Sequence, residues 1–207
     1  MRFESSASRV VLARIYLAMK IVHISTQDIN GGAALATYRL HRGLQRAGHE
    51  SSMFIVTRSD CDPTVVAFAP PIDFASRIRR RLRRERIARD FAQYRASRPA
   101  GYELFSDDRS CYGKTILGQL PPCDVINLHW IAGFVDYEGF FNTMPHGTPI
   151  VWRLADMNAF TGGCHYDHDC GQLLMDAGRA LSWDRPIRGT SHDRSGSESR
   201  WCLVRWR

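Results

Sequence analysis

The sequence predicts an α/β domain, a parallel sheet flanked by helices. Three observations predict it. Short β-rich runs alternate with stretches of helical periodicity, a glycine pair joins the first strand to the helix after it, and polar side chains collect where strands end. A strand, glycine loop, helix, strand order is a βαβ unit, and such units build parallel sheets whose ligands bind beyond the carboxyl ends of the strands.

The elements follow in order. Lys20–Thr26 (KIVHIST) is the first β-rich run, ending in the polar stretch Gln27–Asn30. Gly31 and Gly32 come next, and then AALATYRLHRGLQRAGHE, where Leu35, Leu40 and Leu44 recur near helical spacing and Gly48 stands where a helix would end. SSMFIVT (51–57) reads as the second strand, and the stretch after it is less regular. Residues 77–89, RIRRRLRRERIAR, form an arginine-rich helix with Ile78, Leu82 and Ile87 set among the charges. Asp124–Trp130 and Pro149–Leu154 read as further strands, with a helix expected in 136–144 between them. His23, His129 and Asp156 fall at or near strand ends. No internal repeat is present.

The bulk numbers bound the rest. A chain of 207 residues makes one domain, or one and a fraction. Its net charge of +7 is uneven, because the 77–89 run holds so many arginines. No apolar run nears the roughly 20 residues that cross a bilayer. Arginines interrupt the apolar part of the N-terminus, so no signal peptide is read there. Six cysteines without a secretion signal point to reduced thiols and a cytoplasmic location.

The two ends look foreign to the α/β pattern. Residues 1–18 precede a natural-looking start at Met19-Lys20, so a misassigned or disordered extension is expected. Residues 173–207 show neither period and are rich in Arg, Ser and Gly.

Three ordered motifs carry a resemblance. MKIVHISTQDINGGAALATYRLHRGLQRAGHES, DVINLHWIAGFVDYEGFF and PIVWRLADMNAFTGGCHYDHDC together resemble the N-terminal domain of family-4 retaining glycosyltransferases, nearest the bacterial branch that builds surface polysaccharides such as colanic acid. The resemblance covers about residues 19–172. It implies a Rossmann-like domain, the acceptor-side half of a GT-B fold, with a nucleotide-sugar as donor substrate and a glycan or lipid-linked acceptor. A retaining transfer requires no cofactor. The second, donor-gripping domain of that family is not expected in this chain, so little transfer is expected from it alone. Met175-Asp176 and Trp183-Asp184 both encode glycine in a shifted frame. That frame permits a continuation like the family's GCxxCP motif, so a frameshift near 172–175 is expected.

The candidate residues each carry two readings. Gly31 and Gly32 let a phosphate or sugar approach the backbone at a helix N-terminus, or simply make a tight turn. They do not fit Gly-x-Gly-x-x-Gly, which counts against a dehydrogenase. By the resemblance they line the donor-phosphate and acceptor cleft. Asp156 stands where relatives show His-Asp; here Ala155 precedes it. It is the candidate catalytic and sugar-binding carboxylate, with a turn or helix-cap role as the alternative. His129 and Trp130 are a candidate acceptor wall, or a packing pair.

Cys164 and Cys170 offer half of a four-ligand zinc site, with His165 and His168 as substitute ligands. In the chain as written, a Gly-rich loop with unpaired thiols is the favoured reading. The 77–89 helix suits an anionic membrane surface, as at the inner face of the cytoplasmic membrane, or is a solvated face. No nucleic-acid partner is expected, since no aromatic-studded RNA motif lies near the arginines. Two other classes fit the same residues: a non-catalytic sugar- or membrane-binding α/β module, and a small Cys/His metal-binding protein.

Overall fold

The computed structural model describes residues 18–95, 106, 108–144, 147–161 and 165–166. Of the expected foreign ends, 1–18 and 173–207, all but residue 18 lie outside the described residues, as do Cys164, His168 and Cys170.

Five strands form one sheet: β1 (Lys20–Gln27), β2 (Glu50–Thr57), β3 (Val65–Ala67), β4 (Val125–Leu128) and β5 (Ile150–Trp152). The order across the sheet is β3-β2-β1-β4-β5, and every pairing is parallel. The expected α/β class with a parallel, Rossmann-like sheet is therefore the fold observed. Helix α1 (Gly32–Arg46) joins β1 to β2, and α2 (Phe74–Arg95) follows β3. A 3-10 segment (Gly113–Gln119) precedes β4. Two short helices, α3 (Tyr137–Phe141) and α4 (Asn158–Thr161), flank β5 in sequence.

Side-chain alternation along the strands gives the sheet two unlike faces. Val22, Ile24, Phe54, Ile126 and Leu128 pack with Phe68, Phe134, Tyr137 and Phe140 into the main apolar core. The opposite face, under α1, is mixed: His23 and Ser25 from β1, Ser51 from β2 and Asn127 from β4 lie there with Ile21, Met53, Ile55 and Val65. The buried stripe of α1 is accordingly Ala34, Thr37 and His41. The leucine stripe expected from periodicity is not the inward one, since Leu35 is 38% exposed. His41 turns inward to hydrogen-bonding partners, Ser51 and Thr64, while Thr37 satisfies its hydroxyl on the Ala33 carbonyl of its own helix.

Strand β3 and helix α4 were not legible in the sequence. β2 and β3 are parallel, yet only residues 58–64 connect them, without a crossover helix. Asp62 holds that return: its carboxylate accepts from Thr64 N and Thr64 Oγ1, while the carbonyls of Asp60 and Asp62 accept from Arg58. Gly48 adopts a φ of 94° just after Ala47 caps α1, as its place in the sequence suggested.

Helix α2 is anchored by one face. Arg83 pairs with Asp136 and donates to the Ser110 carbonyl, and Arg80 donates to the Pro71 carbonyl at 2.9 Å. Asp136 also caps α3, accepting from Gly139 N at 3.0 Å. Phe74, Ile78 and Leu82, four residues apart, lie on the outward face at 79%, 42% and 60% exposure. Ile87, grouped with Ile78 and Leu82 in the sequence, turns toward the protein instead.

Candidate functional site

The chain leaves β1 toward β2 and β3, then returns to place β4 and β5 on the other side. The switch point therefore lies between β1 and β4, and in open α/β sheets ligands bind beyond the carboxyl ends of such a pair. β1 runs out into Asp28–Gly31, and β4 into His129 and Trp130. Thr26 ties the two ends together: its N–H donates to the Trp130 carbonyl at 2.8 Å, and its hydroxyl reaches the Trp130 and Ala132 carbonyls at 3.0 and 3.1 Å.

The glycine loop is rigidly held and open above. Asp28 is buried, and its carboxylate accepts from the N–H groups of Ile29, Ser59 and Asp60 at 2.8, 2.6 and 2.8 Å. Burial alone would raise its pKa, but these N–H groups outweigh that and hold it below the usual carboxylate value. Asn30 adds a bond to Ser59 Oγ at 2.7 Å. Gly31 has a φ of 89°, a conformation that favours glycine, and Gly32 opens α1. A β-carbon placed on either glycine meets nothing within 4 Å, and no side chain caps the helix.

On the other side of the switch point, Trp130 is half-buried and stands edge-on to His165, with ring centroids 5.1 Å apart. His165 is placed by Ser106 Oγ at 2.8 Å from its Nε2, and its carbonyl accepts from Met157 N. His165 thus lies beside Trp130 at the end of β4. Asp156 accepts from Asn158 N at 3.0 Å, the turn role at the start of α4 that was its alternative reading.

His129 is deeply buried and belongs to a hydrogen-bonded chain under α1. His129 Nε2 lies 2.9 Å from His23 Nδ1, and His23 Nε2 lies 3.1 Å from Ser51 Oγ. Ser51 Oγ continues to His41 Nδ1 at 2.8 Å, and His41 Nε2 to Thr64 Oγ1 at 2.9 Å. His23 sits in the middle of β1 rather than at its end. Burial, with the neighbouring His129 and His41 as lesser causes, lowers its pKa from 6.5 to about 3. Burial, helped by Arg153, lowers that of His129 to about 4. His41 is also lowered by burial, against the pull of Asp62. All three imidazoles are neutral at pH 7.

Of the sequence-derived candidates, Gly31, Gly32, His129 and Trp130 flank the β1/β4 switch point. Asp156 follows the end of β5 instead. Cys164 and Cys170 lie outside the described residues, and no group of three His, Cys, Asp or Glu side chains suited to a metal occurs among the described ones. His165 engages Ser106 and Trp130. Sequence reasoning missed His41, Ser51, Thr64 and Asp28; only His23 had been noticed, as a polar residue near a strand end. A signal did exist: histidine and serine occupy inward positions of KIVHIST and SSMFIVT, where an apolar face was due.

The chain matches no protein-family model, no curated protein and no solved structure. No helix among the described residues is long and apolar enough to cross a membrane.

Proposed function

We propose that this domain is the acceptor-side half of a retaining glycosyltransferase, binding a glycan or lipid-linked sugar that receives a hexose from a nucleotide-sugar. The observation that carries the reading is the switch point itself: an open, uncapped Gly31-Gly32 helix start on one strand and Trp130 on the strand beside it. The face of an aromatic ring suits the apolar face of a sugar, and unengaged N–H groups at a helix start suit phosphate or hydroxyl oxygens. The resemblance of three ordered motifs to family-4 glycosyltransferases supplies the reaction class. Asp156, at the mouth of β5, is the carboxylate proposed to reach sugar hydroxyls.

The exposed stripe of Phe74, Ile78 and Leu82, flanked by Arg79, Arg81, Arg86 and Arg89, supports an anionic membrane surface as partner. A solvated helix face has no need of three apolar side chains at one azimuth. Apolar residues would enter the headgroup boundary while each arginine adds roughly 1 kcal/mol. A lipid-linked acceptor would be presented at that surface.

Tryptophan fluorescence during titration with surface-polysaccharide oligosaccharides tests the binding step. Saturable quenching that Trp130→Ala weakens at least tenfold is expected. Equal binding by wild type and Trp130→Ala would remove the switch point from the proposal. Transfer of hexose from a nucleotide-sugar to an acceptor hydroxyl, with release of the nucleotide, only when a donor-binding domain is supplied would distinguish the transferase from a non-catalytic sugar-binding module.

A further inference from the structure

The proton order of the buried histidine chain can be worked out from one end. Asp62 is held below the usual carboxylate range: burial would raise it, but bonds from Thr64 and Tyr38 outweigh that. As a carboxylate it can only accept. Thr64 Oγ1 lies 2.5 Å from Asp62 Oδ1 and must spend its single proton there. Its other neighbours must therefore donate to it, Gln45 Nε2 at 3.2 Å and His41 Nε2 at 2.9 Å. A neutral imidazole has one N–H, so His41 Nδ1 is a lone pair and accepts from the Ser51 hydroxyl. Ser51 in turn accepts from His23 Nε2–H, which leaves His23 Nδ1 to accept from His129 Nε2–H.

His129 Nδ1 is left as a buried lone pair, and it has no partner among the described residues. Two more buried side-chain atoms without partners, Ser25 Oγ and Asn127 Oδ1, lie on the same sheet face. Asn127 is two residues before His129 on β4, and Ser25 follows Ile24, which pairs with Leu128. A buried polar atom without a partner costs about 1–3 kcal/mol, and here two are acceptors, His129 Nδ1 and Asn127 Oδ1, beside the Ser25 hydroxyl, which can donate or accept.

We propose that Asp62 is a positioning residue which, through Thr64, His41, Ser51 and His23, fixes His129 as its Nε2–H tautomer and so presents Nδ1 with Asn127 Oδ1 as a pair of acceptors for hydroxyl groups, beside the Ser25 hydroxyl. This rests on the sugar-binding reading for its ligand class, but the tautomer order itself does not. Each link leaves only one proton arrangement once Asp62 is ionised. Neither Asp62 nor Thr64 bonds to His129, so their influence on it must pass along the chain.

Histidine side-chain 15N spectra of the full chain at pH 7 test the order. Expected are Nε2–H tautomers for His23, His41 and His129. Thr64→Val should remove the anchor and convert the His129 signal to a mixture or to Nδ1–H, and Thr64→Ser should restore it. Ser51→Ala should disturb His23 and His129 while leaving His41 as it was. A His129 tautomer that is Nδ1–H in the wild type, or that ignores both Thr64→Val and Ser51→Ala, would overturn the proposal. Adding a surface-polysaccharide oligosaccharide should shift His129 Nδ1 alone among the three rings. If the tautomers are as stated but no oligosaccharide moves that signal, the relay stands and the sugar reading fails.

Discussion

His23 and His129, on neighbouring parallel strands, share one hydrogen bond of 2.9 Å between Nδ1 and Nε2 beneath α1, their ring centroids 5.2 Å apart. One proton serves both facing nitrogens, so protonating both rings would set two N–H groups against each other in a buried place. The sheet thus has one apolar face, and another on which neutral imidazoles and hydroxyls are buried beside Met53, Ile55 and Val65.

Acid should weaken the fold early. The folded pKa values, about 3 for His23 and about 4 for His129, lie below the 6.5 of the free side chain. Below 6.5 the unfolded chain binds protons that the folded chain refuses, so stability is full above that pH and is lost as the pH falls toward the folded values. Each histidine contributes a slope of up to about 1.4 kcal/mol per pH unit, so the two give about 2.7 kcal/mol over the unit near pH 5. His41, shifted the same way, adds to it. Thermal midpoints measured from pH 8 to 5 should fall once the pH drops below about 6.5; a flat profile would contradict the buried neutral chain.

The adjacent glycines should respond oppositely to alanine. Gly31 has a φ of 89° and a ψ of 162°, a region essentially glycine's alone, so Gly31→Ala should cost about 1–3 kcal/mol from backbone strain, the space around it being open. Gly32 is the first residue of α1 and also has room, so Gly32→Ala should stabilise by about 0.5–1 kcal/mol. Urea unfolding of the two variants checks the contrast, and equal effects would refute it.

Asp28→Ala should free the N–H groups of Ile29, Ser59 and Asp60 from their shared acceptor. A loss of about 3 kcal/mol is expected, as for bonds to a buried charge. Asp28→Asn, which keeps one acceptor oxygen, should lose about half as much. Denaturant midpoints decide it.

Vesicle flotation tests the outward face of α2. Replacing Phe74, Ile78 and Leu82 by serine should leave the thermal midpoint nearly unchanged, because the stripe faces away from the domain. Binding to vesicles rich in phosphatidylglycerol should fall more than tenfold, from loss of apolar burial in the headgroup region. Retained binding would leave the arginines as a solvated face.

Much of this architecture could be read from the chain, for reasons the structure makes plain. KIVHIST, SSMFIVT and DVINLHW are strands because each is a compact β-branched or apolar run, and the glycines mark both ends of α1. β3 escaped notice because it is only Val65–Ala67 and is reached through 58–64 without a helix, against the alternation that reveals parallel sheets. The leucines of α1 misled because periodicity reports which residues are apolar, while the sheet beneath offered Ser51 and His23. Gly31, Gly32, His129 and Trp130 were locatable as ends of strands. The links from His129 back to Thr64 were not, since they join residues far apart in sequence through side chains with no motif of their own.

Amide chemical-shift mapping of the 15N-labelled chain, titrated with a surface-polysaccharide oligosaccharide, most directly tests a sugar-binding switch point between β1 and β4. Saturable shifts at Gly31, Gly32 and Trp130, with the outer strand β3 unmoved, are the expected result. Absence of any shift at those three residues, or shifts confined to β3 and α2, would contradict it.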